Sequence, residues 1–224
     1  TAVIKSPVPL MLDRCPWIDA RLTLGLNDAN TTADIQRIRR RHFDSALLLT
    51  NSFRSAWVAW RAGIARRIGY ARDGRSMLLT DKLYPPKQGR RYLPTPAIGY
   101  YLKLLEPLGI HNDDRRMMLF TRSDDDAWAY DTLARITDQY GHGPKIIFTA
   151  GGRYGAAKLW PAERYAHLAD RLIENYRAVI LLSGAPNERP ILQRIVDQAK
   201  HPLVNLPETG MKFRQLKSVV QRCD

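Results

Sequence analysis

The sequence contains few cysteines and no long apolar run. Its two cysteines, Cys15 and Cys223, lie near opposite ends of a 224-residue chain, without a CxxC spacing. They indicate neither a disulfide framework nor a thiolate metal site, and they fit a reducing compartment. No stretch approaches the roughly 20 uninterrupted apolar residues that a membrane-spanning helix needs. The first residues also lack a signal-peptide pattern. These absences predict a cytoplasmic protein with no transmembrane segment.

Acidic residues are scarce relative to basic ones. The chain has 35 Lys and Arg against 22 Asp and Glu, a formal net charge of +13 and a pI near 10.0. This balance favours anionic partners, whether nucleic acid, anionic lipid or phosphorylated substrates. Arginines cluster at 37–41, 66–67 and 90–91, but no basic run is interleaved with aromatics in an RNA-reading pattern. A solvated basic surface remains an alternative. The five histidines show no ligand spacing, so we expect no metal.

Short β-rich runs alternate with segments of helical period, a pattern that predicts an α/β fold with parallel sheets covered by helices. Strands are predicted at 2–5, 21–24, 46–50, 67–70, 145–149, 178–182 and 203–206. Helices are predicted at 32–42, 53–62, 97–108 and 123–140, and from about 161, 191 and 213.

The segment Gly141-His142-Gly143-Pro144 breaks this pattern and predicts a domain boundary. We therefore expect a first domain at 1–140, a linker at 141–144 and a second domain at 145–224. The chain opens on a strand at Thr1 and stops within a β-α series at Asp224. Both domains are therefore expected to be truncated.

The loop from Thr149 to Pro161 is glycine-rich and joins a predicted strand to a predicted helix. Open α/β sheets bind ligands at such junctions, and glycines let backbone amides approach an anion. Lys158 adds a positive charge suited to a diphosphate. The loop matches neither the Walker pattern nor the dinucleotide fingerprint, so a plain tight turn stays open as an alternative.

Four stretches together resemble one family. Ala157-Lys158-Leu159-Trp160-Pro161 is similar to the AKRWP signature of the ADP-heptose:lipopolysaccharide heptosyltransferases, glycosyltransferase family 9. Residues 49–56, LTNSFRSA, resemble that family's LPNSFKSA stretch. Residues 62–70, AGIARRIGY, resemble its AGIPxRxGW segment, and Leu78-Leu79-Thr80-Asp81 follows as its LLxD does. Separate matches in the same order strengthen the resemblance, which is greatest to the heptosyltransferase II branch.

The resemblance implies a GT-B architecture, in which two Rossmann-like domains face a cleft. The first domain would bind the acceptor and the second the nucleotide-sugar donor. Lys158 and the amides of Gly151 and Gly152 would contact the donor diphosphate. Glu188 resembles an acidic residue that holds the nucleoside, although a helix-start carboxylate is its alternative reading. Trp160 is expected to serve in packing rather than in the site.

On the acceptor side, Asn51, Ser52, Arg54 and Arg67 match family positions. The two arginines have the chemistry to pair with phosphate or carboxylate on a sugar acceptor. Ordinary surface charge is the alternative.

The chain departs from the family pattern at three places. Ala150-Gly151 replaces the usual Pro-Gly, so the loop need not keep the family's shape. The aspartate taken as the general base follows the family's first strand, which by alignment precedes Thr1. A TNDSGxxHxAA segment that completes the donor site is expected after Asp224. The identity of the general base is therefore unknown from this sequence.

The implied reaction is transfer of a heptose from ADP-heptose to the inner core of lipopolysaccharide, with inversion and without a cofactor. The acceptor would be an anionic glycolipid, so peripheral contact with the inner face of the cytoplasmic membrane is expected and would account for the basic charge. One alternative is a basic nucleic-acid-binding α/β protein. The other is an enzyme with Rossmann-like halves, either another nucleotide-sugar-using enzyme or an oxidoreductase. The lack of a GxGxxG fingerprint argues against dinucleotide use, and we expect no nucleic-acid partner.

Overall fold

The computed structural model describes residues 1–5, 8–25, 31–151 and 159–224. In chain order its strands are β1 (Ala2–Lys5), β2 (Arg21–Leu24), β3 (Ser45–Leu48), β4 (Arg66–Tyr70), β5 (Asp81–Leu83), β6 (Lys87–Gln88), β7 (Arg91–Tyr92), β8 (Lys145–Thr149), β9 (Val179–Ser183) and β10 (Val204–Asn205). Its α-helices are α1 (Val8–Met11), α2 (Thr31–Arg39), α3 (Phe53–Arg61), α4 (Ala97–Leu102), α5 (Ser123–Tyr140), α6 (Ala162–Tyr176), α7 (Arg189–Gln198) and α8 (Leu216–Val220). Short 3₁₀ turns lie at Ser76–Leu78, Lys103–Leu108, Pro186–Glu188, Leu206–Thr209 and Phe213–Gln215.

The chain divides into two compact units. Unit 1 comprises Thr1–Ser6 and Ala20–Met118, and unit 2 comprises Pro7–Asp19 and Leu119–Asp224. Parallel strands form the main sheet of each, as the sequence pattern predicts.

Unit 2 is built on a parallel sheet with strand order β10-β9-β8. Every residue of β9 is buried, because helices cover both faces of the sheet. Side chains alternate between the faces: Ile180 and Leu182 pack with α6 and α7, whereas Val179 and Leu181 pack with α5 and α8. The unit therefore has three layers, and its strands end together at one edge of the sheet.

The division between the units differs from the predicted boundary. It falls between Met118 and Leu119, within a stretch of irregular backbone at 110–122, whereas 141–144 lies inside unit 2. Helix α5 packs its apolar stripe, Ala129, Leu133 and Ile136, on the β8–β10 sheet. The glycines of 141–144 form a tight turn: Gly141 has a φ of 110°, and a β-carbon on Gly143 would overlap the carbonyl of Arg177.

A short segment at 8–19 also belongs to unit 2, although the sequence pattern places it in the first domain. The Trp17 ring packs edge-on against Phe120, with ring centroids 5.2 Å apart. Arg122 pairs with Asp13 at 3.4 Å. The buried Lys217 of α8 donates from Nζ to the carbonyl oxygen of Met11 at 3.3 Å and to that of Phe120 at 2.5 Å. These contacts attach the segment to the start of α5 and to α8.

Unit 1 contains a parallel β1–β2 pair, a parallel β3–β4–β5 sheet and an antiparallel β6–β7 hairpin. Ile35 and Ile38 of α2 and Ala59 of α3 are buried against Leu22, in a core shared with side chains of β3. Strands β3 and β4 lead at their carboxyl ends into loops that carry polar side chains, Asn51 after β3 and Arg72 and Arg75 after β4.

Two predicted helix details differ in the structure. The helix predicted at 97–108 is α4 followed by a 3₁₀ turn that contains Pro107, which has no N–H to continue an α-helix. A serine followed by aspartates is expected to be the N-cap residue of a helix, but Ser123 is the first residue of α5, and Arg122 occupies the N-cap position without a side-chain bond. The three aspartates that follow do lie in the first turn of the helix.

Candidate functional site

In unit 2, the loops after β8 and β9 meet at the carboxyl edge of the sheet, where parallel α/β sheets bind ligands. Gly151 follows β8 and Gly184 follows β9, and the strands are paired through Thr149 and Ser183. A β-carbon on Gly151 would overlap the Glu188 carboxylate, and one on Gly184 would lie 3.3 Å from Glu188 Oε2. Glu188 therefore lies against both glycine loops, and the structure brings two of the predicted donor residues, Gly151 and Glu188, together.

The Glu188 carboxylate is held by its own turn. Its Oε2 accepts a hydrogen bond from the backbone N–H of Ala185 at 2.6 Å, and Glu188 is the N-cap residue of α7. The carboxylate thus caps the start of the 3₁₀ turn Pro186–Glu188, which leads into α7, a helix-start role of the kind named as its alternative reading. It is also placed beside the glycine of the neighbouring loop. A carboxylate fixed in this way accepts hydrogen bonds and suits the hydroxyls of a ribose.

Gly152 and Lys158, the other predicted donor residues, lie outside the described residues. Beyond them, Trp160 precedes the N-cap residue Pro161 of α6. Its ring packs edge-on against Tyr165, with centroids 4.8 Å apart. This is the hydrophobic staple arrangement that fixes the entry of a chain into a helix. Trp160 therefore has a packing contact of the kind expected from the sequence.

In unit 1, the carboxyl ends of β3 and β4 meet around a fully buried arginine, Arg75. Its Nε donates to the carbonyl oxygen of Tyr70 at 2.9 Å, and its Nη1 donates to that of Thr50. Its Nη2 lies 3.4 Å from Asn51 Oδ1, which also accepts the Tyr100 hydroxyl at 3.2 Å. Burial lowers the pKa of Arg75 from its usual value, although a guanidinium stays protonated in proteins.

Asn51 lines a pocket of about 190 Å³ in unit 1. Its other lining residues include three tyrosines, Tyr92, Tyr100 and Tyr101, and one cation, Arg72. Arg72 lies over the Tyr92 ring, with its Cζ 4.2 Å from the ring centroid. Aromatic walls with a few polar groups are typical of small-molecule sites.

The other predicted acceptor residues do not share this pocket. Ser52 is the N-cap residue of α3 and accepts from the Ser55 N–H at 3.4 Å. Arg54 donates to Thr31 Oγ1 at 2.7 Å. Arg67 donates to the carbonyl oxygens of Ile64, Ala65 and Leu78, the last at 2.6 Å.

These contacts give Ser52 and Arg67 local structural roles. The Arg67 guanidinium was expected to pair with an anion on the acceptor, but in the structure it donates to backbone carbonyls instead. Only Asn51 of the acceptor residues predicted from the sequence lines the pocket.

Sequence reasoning missed Arg75, Arg72, Tyr92 and Tyr100. Arg72 and Arg75 lie just beyond the carboxyl end of β4, the position from which open α/β sheets contact ligands. That position was the available signal for the two arginines. No comparable signal marked the tyrosines, because their approach to Asn51 depends on how distant segments fold together.

Asp81, the aspartate of the LLTD stretch, pairs with Arg66. Arg66 donates from Nη2 to Oδ1 at 2.9 Å and from Nε to Oδ2 at 3.2 Å, and Thr80 donates to Oδ2 at 2.8 Å. Arg66 also donates to the carbonyl oxygen of Pro107 at 2.5 Å. Hydrogen bonds from Arg66 and then Thr80 lower the pKa of the Asp81 carboxyl. This pair joins β4, β5 and the turn at Lys103–Leu108.

Within the described ranges, no helix is both long and apolar enough to cross a membrane. No group of three or more His, Cys, Asp or Glu side chains is arranged there to hold a metal ion.

Residues 32–224, most of the chain, match the family model of glycosyltransferase family 9 (heptosyltransferase). The chain belongs to glycosyltransferase family 9. The resemblance seen in the sequence is therefore confirmed, and the protein is of a glycosyltransferase family. This membership favours a family 9 transferase over the alternatives, a nucleic-acid-binding protein, an oxidoreductase or another nucleotide-sugar-using enzyme.

Three curated relatives are heptosyltransferases. Lipooligosaccharide heptosyltransferase 2 of Haemophilus influenzae is 29% identical over 199 residues, covering 84% of this chain and 56% of that protein. Lipooligosaccharide heptosyltransferase 2 of Haemophilus ducreyi is 30% identical over 160 residues, covering 70% of this chain and 44% of that protein. Lipopolysaccharide heptosyltransferase 2 of Escherichia coli is 26% identical over 187 residues, covering 78% of this chain and 51% of that protein. The chain spans about half the length of these family 9 relatives.

Solved family 9 structures share the fold. A glycosyl transferase family 9 structure from Veillonella parvula matches with a TM-score of 0.78 at 20% identity, covering 99% of this chain and 63% of that chain. The structure of Escherichia coli ADP-heptose lps heptosyltransferase II matches with a TM-score of 0.69 at 19% identity, covering 99% and 66%. The predicted GT-B class, with parallel sheets and covering helices, is confirmed.

Proposed function

We propose that the protein transfers a heptose from ADP-heptose to the inner core of lipopolysaccharide, with inversion at the anomeric carbon. The observation that carries the proposal is the position of Glu188 beside Gly151, at the carboxyl edge of the unit 2 sheet, in a chain of the heptosyltransferase family. Three curated relatives named as heptosyltransferase 2 support the choice of sugar and acceptor.

Unit 2 holds the donor in this proposal. The Glu188 carboxylate accepts hydrogen bonds from the ribose of ADP, while the amides of Gly151 and Gly152 and the ammonium of Lys158 contact the diphosphate. The departing diphosphate gains negative charge in the transition state, so these donors stabilise it more than they stabilise the bound substrate. No step in this account needs a metal or an organic cofactor.

Unit 1 holds the acceptor, through the pocket that Asn51 lines. A general base removes the proton of the attacking hydroxyl. Arg54, which the sequence assigns to the acceptor side, contributes positive charge on the same unit.

The acceptor in this proposal is an anionic glycolipid, so the protein works at the inner face of the cytoplasmic membrane as a peripheral protein. The net charge of +13 supports this location, because basic residues near an anionic leaflet are attracted by about 1 kcal/mol each.

The proposal is tested with protein expressed from the complete reading frame that encodes this chain. ADP is titrated calorimetrically, with GDP and UDP as controls for the base. ADP-heptose and a heptosylated inner-core oligosaccharide are then supplied together, and the product is weighed by mass spectrometry. Preferential binding of ADP and a product heavier by one heptose are expected. ADP binding without product would contradict the assigned sugar or acceptor, whereas failure to bind ADP would contradict the donor site.

A further inference from the structure

We propose that Arg75 and Tyr100 act as positioning residues that turn the Asn51 side chain so that its Nδ2 donates a hydrogen bond to an oxygen of the acceptor sugar. This inference rests on the proposed function, because it names the group that recognises the acceptor. It adds two residues, Arg75 and Tyr100, to those predicted from the sequence.

The chemistry of arginine fixes which end of the Asn51 amide faces inward. A guanidinium carries only donors, so the Asn51 atom 3.4 Å from Arg75 Nη2 must be the oxygen. The Tyr100 hydroxyl lies 3.2 Å from the same oxygen and donates to it. With the oxygen held by two donors, the NH₂ end of the amide is directed away from them. Asn51 lines the pocket, so this end supplies a donor to a ligand there.

Arg75 is itself held rigidly. It is fully buried, and its Nη1 donates to the carbonyl oxygens of Thr50 and Ser52 and to Ser55 Oγ at 3.1 Å. A β-carbon on Gly69 would lie 3.2 Å from Arg75 Nη2, so the strand beneath leaves the guanidinium little space to move. Asn51 is therefore oriented by a group that cannot easily change its position.

Tyr100 is equally constrained. Its ring stacks on Tyr70 with centroids 3.8 Å apart and an interplanar angle of 12°. The Tyr70 hydroxyl donates to the carbonyl oxygen of Tyr100 at 2.6 Å. The two tyrosines thus lock each other, and the hydroxyl of Tyr100 stays directed at Asn51.

The hydrogen-bond partners of Arg75 in the described part of the chain are carbonyl, hydroxyl and amide oxygens, all of them neutral. The buried positive charge therefore lies under Asn51 without a bonded carboxylate. It polarises the Asn51 amide, because its attraction for Oδ1 makes the Nδ2 hydrogens better donors. A sugar is the fitting ligand class, because it offers hydroxyl and ring oxygens to a donor and carbon faces to the tyrosine walls.

The decisive variant is Asn51→Asp in protein from the complete reading frame. The carboxylate keeps an oxygen for Arg75 and Tyr100, and it neutralises the buried guanidinium, so the fold is expected to be at least as stable. It removes the N–H donor. We expect the KM for the acceptor oligosaccharide to rise about tenfold, with the KM for ADP-heptose unchanged and Tm unchanged or higher.

Tyr100→Phe is the matched test of positioning. It keeps the ring stacked on Tyr70 and removes only the hydroxyl that holds Asn51, so a rise of about threefold in the acceptor KM is expected. Asn112→Asp is the control, because Asn112 is exposed and its side-chain oxygen accepts from the backbone N–H of Asp114 in its own loop. It should leave both KM values unchanged.

Acceptor affinity is also titrated without donor, so that each variant gives a result whether or not product forms. An Asn51→Asp protein with wild-type acceptor affinity would overturn the inference while leaving the proposed function intact. A variant that loses donor and acceptor binding together with Tm would show a structural role for Asn51 and would also overturn it. A wild-type protein that neither binds the acceptor nor transfers a heptose would refute the proposed function itself.

Discussion

The carboxylate of Glu188 lies so close to Gly151 that any side chain at Gly151 would displace it. Gly151 follows β8, whereas Glu188 ends the turn after β9, so the contact joins two loops at one edge of the sheet. A glycine is needed there for space rather than for an unusual backbone angle. Gly151 and Glu188 therefore belong together in the proposed donor site.

Gly151→Ala should weaken ADP binding and lower Tm slightly. The overlapping atoms are the mobile end of the Glu188 side chain. This end can rotate away at a cost of about 1 kcal/mol, because the rotation breaks its hydrogen bond from the Ala185 N–H. Once rotated, the carboxylate no longer meets the ribose. Calorimetric titration of ADP together with Tm measures both effects.

The control for this variant is Gly99→Ala. Gly99 lies in α4 with no neighbouring atom near its missing β-carbon, so alanine should stabilise the helix by about 0.5–1 kcal/mol. ADP affinity should not change. Equal ADP affinity in Gly151→Ala and wild type would contradict the assigned role of the Glu188 contact.

Glu188→Gln separates the two roles of this side chain. A glutamine oxygen can still accept from the Ala185 N–H, so the 3₁₀ turn that leads into α7 should remain intact. The lost negative charge should lower ADP affinity about 10- to 100-fold, because hydrogen bonds to charged groups are the stronger ones. Glu188→Ala should lower both ADP affinity and Tm. If the glutamine variant binds ADP as wild type does, Glu188 serves only as a helix cap.

Because of the Arg66–Asp81 pair, we expect the folded state to lose part of its stability at acidic pH. Hydrogen bonds from Arg66 and Thr80 hold the pKa of Asp81 below its ordinary value of 3.8. The folded state thus binds this proton less tightly than the unfolded state. The resulting stabilisation of the folded state is complete at a pH above the ordinary pKa of Asp81, and it is lost as the pH falls through the lower pKa of the folded state.

Asp81→Asn removes this titration and leaves Arg66 without its ion pair. The variant should be less stable than wild type at neutral pH, and the difference in Tm should shrink as the pH is lowered below about 4. Thermal unfolding across that pH range measures it. A stability difference that stays constant with pH would show that the carboxylate charge contributes nothing.

The position of the unit boundary predicts where proteases cut. The backbone from 110 to 122 is irregular and largely exposed, whereas 141–144 is a tight turn between two packed elements of unit 2. Brief treatment with a protease of broad specificity should therefore cut first between 110 and 118. Mass spectrometry of the fragments locates the site. First cleavage at 141–144 would support the boundary predicted from the sequence instead.

Much of the fold follows from the sequence, because strand and helix periods are local properties. The alternation around β8, α6, β9 and α7 could be predicted from apolar spacing alone. The packing of α5 on one face of the unit 2 sheet could not be predicted in this way. Its apolar stripe fits either domain, and only packing on Val179 and Leu181 assigns it to unit 2.

The candidate site was less predictable. Family motifs identified Asn51, Gly151 and Glu188, and the structure places each in a loop or turn that follows the carboxyl end of a strand. The same motifs included Arg67, whose guanidinium is instead bonded to backbone carbonyls. Sequence shows which charges are present, but not which of them the fold itself uses. Arg75 shows the converse, since its burial beneath Asn51 depends on contacts between β3, β4 and α3.

The most direct test of the proposed reaction is mass-spectrometric detection of heptose transfer by protein from the complete reading frame, with Lys158→Ala measured alongside wild type. The account predicts a product heavier by one heptose, formed about 100-fold more slowly by the variant because the ammonium stabilises the departing diphosphate. Absence of product from wild-type protein that binds the acceptor would contradict the assigned reaction, and equal rates for the two proteins would contradict the donor role of Lys158.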